Sequence, residues 1–143
     1  MKCIYCGHKE TKVTNKRDIN DFVRRRRECL RCKKRFTTYE KAEIDLIVIK
    51  KDGRREKFNR EKLRNGILKA CEKRPIAIEK IDKVIAEIEE ELRKRGKEIK
   101  TKIIGEIVMK KLKKLDKIAY IRFASVYREF KDISDFKNVM KEV

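Results

Sequence analysis

The sequence predicts an α+β chain in two modules: a small ribbon of short antiparallel strands around a metal site, then a β-hairpin leading a helical bundle. Three observations predict it. Four of the five cysteines form two Cys-x-x-Cys pairs, Cys3 with Cys6 and Cys29 with Cys32. A β-branched apolar run at 44–49 is followed by Asp52-Gly53. Beyond residue 60, apolar residues recur at helical spacing, interrupted at Pro75 and Gly96. A length of 143 residues suits one ordinary domain or two small ones.

The metal spacing justifies the first module. Cys-x2-Cys-x22-Cys-x2-Cys suits one tetrahedral zinc site, since each short turn presents two sulfurs and the loop between brings the two corners together. Disulfides or a redox couple are the other reading of these pairs; the odd cysteine count and a reducing compartment disfavour it. A module of about forty residues with few large apolar groups needs such a staple to fold. His8 could replace a sulfur, but Cys3, Cys6, Cys29 and Cys32 already complete the set, and a closed four-sulfur site is structural. Residues 11–17 (TKVTNKR), 22–29 (FVRRRREC) and 35–40 (RFTTYE) read as its strands, which makes the module a zinc-ribbon.

Charge indicates what such a ribbon meets. Lys and Arg number 43 against 24 Asp and Glu, a formal net charge of +19 that favours polyanionic partners. Residues 1–40 carry 13 basic and 5 acidic side chains, so positive density is highest there. On a strand, Arg24, Arg25, Arg26 and Arg27 alternate between two faces, so basic groups project from both, flanked by Arg17, Arg31 and Arg35. Zinc holds the backbone while the guanidinium groups repel one another. A solvated charge run is the bland alternative; four consecutive arginines on a stapled strand favour nucleic acid, whose phosphates and guanine edges suit the guanidinium fork.

The opening MKCIYCGHKE leads into charge without an apolar secretory region, and the run at 46–49 is too short to cross a bilayer. A soluble, cytoplasmic, nucleoid-associated protein without a membrane partner is expected.

The sequence reads as a ribbon at 1–40, a linker at 41–45, a second domain at 46–136 and a tail at 137–143. In the second domain Asp52-Gly53 supplies a hairpin turn, and RREKF returns as a strand. Asn59 caps a helix broken at Pro75, with Leu63, Ile67, Leu68 and a buried, inert Cys71 on one face. Ile78, Ile81, Ile85, Ile88 and Leu92 stripe a helix ending at Gly96. Thr101 is expected to cap the next helix, 118–130 forms another, and Ser134 starts a short last one.

Around the hairpin, Lys50, Lys51, Arg54 and Lys62 accompany a helix N-terminus, a setting that attracts phosphate, with Glu56 and Asn59 available to a base or ribose. Exposed hairpins are often lysine-rich without any ligand, so residue types alone leave both readings open. The five glycines permit neither a P-loop nor a G-x-G-x-x-G turn, and no nucleophile–base pair or H-E-x-x-H site occurs. The chain is not expected to be an enzyme.

Nearly end to end, these segments resemble the NrdR-type repressors of ribonucleotide reductase genes. CIYCG at 3–7 and RRRRECLRCKKRFTTYE at 24–40 resemble that family's zinc-ribbon. IVIKKDGRREKFNREKL at 47–63 resembles its ATP-cone, while ACEKRPI at 70–76 and RFASVYREFKDI at 122–133 complete the pattern. The resemblance implies a repressor that binds short operator boxes in double-stranded DNA near reductase promoters. It implies one structural zinc, and ATP or dATP in an ATP-cone-like domain, changing a homo-oligomer and thereby DNA binding. It places Lys50, Lys51 and Lys62 on phosphates, Glu56 and Asn59 on the base or ribose side, and Thr101 nearby at a helix start. Tyr120 and Tyr127 are weaker candidates, because with Phe123 and Phe130 they follow core spacing. The chain departs from the family at Ile4, usually proline, and at Asn15-Lys16-Arg17, usually Asp-Ser-Arg; the second bears on operator preference. Two other functions remain in contention. One is an RNA-binding ribbon with dimerising helices, though aromatics for base stacking are few. The other is a detached reductase subunit docking on protein, which would not need so basic a strand.

Overall fold

Three antiparallel strands, β1 (Thr11–Ile19), β2 (Phe22–Cys29) and β3 (Arg35–Lys41), form a sheet with β2 in the middle. They belong to the first of two compact units, Met1–Glu43 and Ile44–Val143, in a computed structural model that describes residues 1–19 and 22–143. The expected linker straddles that division. Among hydrophobic residues of the first unit, Cys3, Cys29 and Phe36 are buried, with Cys32 packed against them. That is too little apolar surface to fold a chain, so the sulfur cluster must supply the rest.

The β1–β2 ladder is irregular. Its register shifts between Val13 and Asn15, leaving Thr14 as an extra residue whose hydroxyl donates to the Arg26 carbonyl at 3.2 Å. A bulge of this kind reverses the alternation that follows it.

The second unit opens with β4 (Ile47–Ile49) and β5 (Arg55–Lys57). Residues 50–54 connect them in a turn in which Gly53 takes φ +84°, with the Gly53 N–H donating to the Lys50 carbonyl at 3.0 Å. Glycine adopts this left-handed geometry without steric cost, which is why Asp-Gly closes the turn. Five helices follow: α1 (Arg60–Ala70), α2 (Ile78–Lys94), α3 (Thr101–Leu115), α4 (Lys117–Tyr127) and α5 (Ile133–Lys141). Between α2 and α3 lies β6 (Glu98–Lys100), a strand not anticipated from the sequence. It pairs parallel to β4, so the sheet order is β5-β4-β6.

The apolar stripes are buried over most of their length, except that Ile78, at the start of the expected α2 stripe, is exposed in the first turn. Ile81, Ile85, Ile88 and Leu92 of α2 are buried, as are Ile107, Val108 and Leu112 of α3 and Ile67 with Cys71 at the end of α1. Complete burial of such aliphatic side chains contributes roughly 1.5–3 kcal/mol each. Ion pairs tie α2 to its neighbours: Arg60 to the buried Glu89 at 2.7 Å, Arg64 to Asp82 at 3.4 Å and Lys111 to Glu87 at 2.8 Å.

Several expected boundaries move. The Asn59 side chain caps α1 by accepting from the Lys62 N–H at 3.0 Å, but the helix ends at Ala70, ahead of Pro75. Thr101 is not a cap: it is the first residue of α3, and its hydroxyl donates instead to the Ile49 carbonyl at 3.1 Å, tying the helix start to β4. Helix α4 stops at Tyr127, where Glu129 turns left-handed (φ 52°) and the Phe130 N–H returns to the Ser125 carbonyl at 3.0 Å. Asp132 caps α5, which runs to Lys141 and buries Val139, so most of the expected tail is helix. Glu142 completes the packing by accepting from the Tyr120 hydroxyl at 2.5 Å and Arg128 at 2.8 Å.

Candidate functional site

The four ribbon sulfurs converge. Cys3 Sγ lies 3.6 Å from Cys32 Sγ, Cys6 Sγ lies 3.6 Å from Cys29 Sγ, and all four fall within 4.8 Å of one another. A tetrahedral site with Zn–S near 2.3 Å sets its sulfurs about 3.8 Å apart, so the set fits zinc. All five cysteines are unbridged, and the four converging sulfurs favour a metal site over two disulfides; His8 is not among the converging ligand atoms. The two ligand turns repeat one geometry. Gly7 N–H donates to the Cys3 carbonyl as Lys33 N–H does to that of Cys29, and Gly7 (φ 70°) and Lys33 (φ 58°) are both left-handed. Burial pushes the Cys29 thiol up, yet the Cys32 and Arg31 backbone N–H groups and neighbouring thiols hold it down to about 6. The Lys34 N–H lowers Cys32, but burial and the adjacent sulfurs leave it pushed up to about 11. A dication among such sulfurs favours the thiolate at every one.

The arginine run divides between the faces of the sheet. Across one face the rows are Arg17–Arg24–Tyr39, Asn15–Arg26–Thr37 and Lys12–Glu28–Arg35. Across the other they are Lys16–Arg25–Thr38 and Val13–Arg27–Phe36. The second face is internally tied: Arg25 pairs with Glu40 at 3.1 Å, Lys16 with Asp18 at 3.6 Å, and Arg27 donates to the Thr38 hydroxyl at 3.1 Å. On the first face Glu28 occupies both Arg35 (2.8 Å) and Lys12 (3.0 Å), and these partners hold its carboxyl below the usual range. Arg17, Arg24 and Arg26 have no ion pair or side-chain hydrogen bond among the described residues. With Asn15 they line a depression of about 160 Å³. Arg31 is exposed beside the metal turn.

In the second unit β4, β5 and the starts of α1 and α3 gather most of the expected anion site. Glu56 Oε2 lies 3.4 Å from Lys50 Nζ and 3.8 Å from Lys62 Nζ. Asn59 stands at the α1 cap beside Lys62, and Thr101 bonds to Ile49, the residue before Lys50. Lys51 diverges toward Glu129, at 3.7 Å. Helix α3 begins without a side-chain cap, so its first N–H groups add to the local positive field. Two ammonium groups beside helix N-termini suit phosphates, while the Glu56 carboxylate and the Asn59 amide N–H suit a base or sugar. Tyr120 is buried on Glu142, and the Tyr127 hydroxyl donates to the Lys102 carbonyl at 2.8 Å while its ring covers Gly105; both act in packing. Glu28, Glu40 and Glu129, which partner expected site cations, carried no signal of that role in the sequence.

These features define a class: a basic ribbon with a four-cysteine metal site, followed by a hairpin-and-helix domain that gathers a cationic cluster at two helix starts. The family model described as "Transcriptional repressor NrdR-like, N-terminal domain" matches residues 1–40, and that of the "ATP cone domain" matches residues 46–133. A transcriptional repressor NrdR of Clostridioides difficile is 57% identical over 146 residues, covering 100% of this chain and 95% of its own. Similar proteins of the same name occur in Caldicellulosiruptor bescii (55% over 140 residues; 95% and 92% of the chains) and Petrotoga mobilis (52% over 147; 100% and 98%). The chain belongs to the NrdR family of transcriptional repressors. Among the described residues, no helix is long and apolar enough to cross a membrane.

Proposed function

We propose that this chain is a DNA-binding repressor of ribonucleotide reductase genes whose cone senses ATP or dATP, the nucleotide setting a homo-oligomer and the oligomer setting operator affinity. The observation that carries this is the segregation of Arg17, Arg24 and Arg26, with no ion-pair partner among the described residues, on one face of a metal-held sheet, in a chain that also bears a cationic cradle at two helix starts. Cys3, Cys6, Cys29 and Cys32 hold the zinc, which fixes the sheet. Arg17, Arg24 and Arg26, with Arg31, meet phosphates and base edges, while Arg25, Arg27 and Arg35 brace the ribbon. Lys50, Lys51 and Lys62 hold the nucleotide phosphates, Glu56 and Asn59 contact its base or ribose, and Thr101 fixes the adjoining helix start. The ribbon (1–40) and the cone (from residue 46) are separate domains of a protein of the cytoplasm and nucleoid.

Coupling requires each nucleotide to stabilise a different assembly through differential affinity. An assembly that aligns several ribbons with repeated operator boxes gains avidity without any new contact. The test is titration of the zinc-loaded protein onto a duplex from its own reductase promoter, with ATP, dATP or neither, against scrambled DNA. Different operator affinities with the two nucleotides are expected. Equal binding to all DNA, indifferent to nucleotide, would overturn the proposal.

A further inference from the structure

The geometry points to Asn15 as the residue that reads a base edge, an adenine in the major groove, from the edge strand of the sheet face that carries Arg17, Arg24 and Arg26. This rests on the DNA-binding reading above and extends it from grip to sequence preference.

The bulge at Thr14 makes the assignment. A regular ladder running on from Lys12 opposite Glu28 would place Thr14, Lys16 and Asp18 on the face of Arg24 and Arg26. The extra residue turns Asn15 and Arg17 onto that face instead, and the Thr14 hydroxyl, bonded to the Arg26 carbonyl, holds the reversal in place. Asn15 then stands beside Arg26 and next to the Arg17–Arg24 pair, and these four residues line the depression. The Asn15 side chain is exposed and makes no hydrogen bond among the described residues.

The chemistry of these four side chains decides what Asn15 can do. Phosphate oxygens only accept hydrogen bonds, and the three arginines already offer many donors to them. An amide presents a donor and an acceptor side by side, a pattern that matches adenine N7 and N6 in the major groove and matches no phosphate. Backbone contacts set position and base contacts set sequence, so the amide adds an adenine contact to the phosphate and base-edge contacts of the arginines. Lys16, turned to the opposite face and paired with Asp18, takes no part in reading.

The experiment selects duplexes from a randomised library with the zinc-loaded full chain, then titrates every single-base variant of the selected duplex at several salt concentrations. At one A·T position, the wild type is expected to discriminate roughly ten- to hundredfold against other bases. Asn15→Ala should erase discrimination at that position alone, with zinc content and the salt dependence of binding unchanged. Asn15→Asp, which only accepts, should move the preference there toward cytosine, whose N4 donates. Lys16→Ala should leave the whole preference profile intact. An unaltered profile for Asn15→Ala, or uniform loss on all sequences, overturns the assignment while leaving the repressor reading standing. A wild type that enriches no sequence overturns both.

Discussion

The two units solve the same problem by different means. The ribbon buries Cys3, Cys29 and Phe36 and brings four sulfurs together, whereas the cone packs Leu46, Ile67, Ile85, Ile88, Leu92, Val108 and Leu112 into a continuous aliphatic core. The first depends on a metal whose binding free energy is folding free energy, the second on apolar area removed from water. Each unit should therefore fail by its own route while the other stays folded, a separation suited to a protein with two ligands of different chemistry.

Removing the metal is the strongest way to break that comparison. Apparent zinc binding in small structural sites contributes about 10–16 kcal/mol near neutral pH, far beyond what three buried side chains replace. Cys29→Ala should abolish stoichiometric zinc and DNA binding, while the helical circular dichroism of the cone and its nucleotide affinity persist. Loss of cone helicity along with the zinc would show that the units do not fold separately.

The complementary change strikes the cone. Leu112 is fully buried in α3, and Leu112→Ala should cost about 2–5 kcal/mol, lowering the cone's melting transition steeply. Zinc content should remain at one per chain. A loss of zinc in parallel would argue that ribbon stability is borrowed from the cone.

A smaller effect, on the order of 2 kcal/mol, attaches to Asp116, which receives the Arg74 fork at 2.9–3.1 Å and caps α4 by accepting from the Ala119 N–H at 2.8 Å. The Arg74 guanidinium holds the Asp116 carboxyl below the usual range, against an opposing push from burial and with help from the Ala119 N–H. A folded pKa below the unfolded value, near 3.9, means the stabilisation is complete above that value and lost as pH falls through the folded one. Asp116→Asn should thus destabilise the cone at pH 7, and the gap from wild type should narrow below about pH 4. Urea unfolding at pH 7 and pH 3 measures it; an equal gap at both would assign the effect to shape rather than charge.

What could be read from the sequence follows the same division. Cysteine spacing, the Asp52-Gly53 turn, the Asn59 cap and the α2 stripe from Ile81 to Leu92 are local signals, each sufficient for its element, and all four stand in the structure. Strand β6 is different: three residues between charges form a strand because β4 lies alongside, and no propensity in Glu98-Ile99-Lys100 announces a partner fifty residues away. The end of α4 was hidden because Glu129, not glycine, takes the left-handed position. The bulge at Thr14 was invisible for a related reason. Register in a strand is legible where apolar residues alternate with polar ones, and TKVTNKRDI offers almost none. Composition showed that the ribbon carries arginines on both faces, but only the register shows which are already occupied.

That distinction sets the smallest and most discriminating prediction. Arg25 and Arg26 are adjacent in sequence and equal in charge, yet Arg25 is half-buried on Glu40 and Arg26 is exposed with no partner among the described residues. A guanidinium that neutralises a phosphate releases condensed counterions, so Arg26→Ala should weaken binding on every duplex and reduce the slope of log K against log salt by about one. Arg25→Ala breaks an ion pair whose worth is under ~1 kcal/mol in this partly exposed setting, and should appear as a slight loss of ribbon stability with the slope kept. Binding titrations of both variants between 50 and 200 mM salt, roughly the range over which such contacts respond most steeply, separate the two cases. Equal losses of slope would mean that the ribbon presents both faces to DNA and that the Arg25–Glu40 pair opens on binding. Unequal losses would establish that neutralisation by one glutamate, rather than arginine density, decides which side of the sheet meets the duplex.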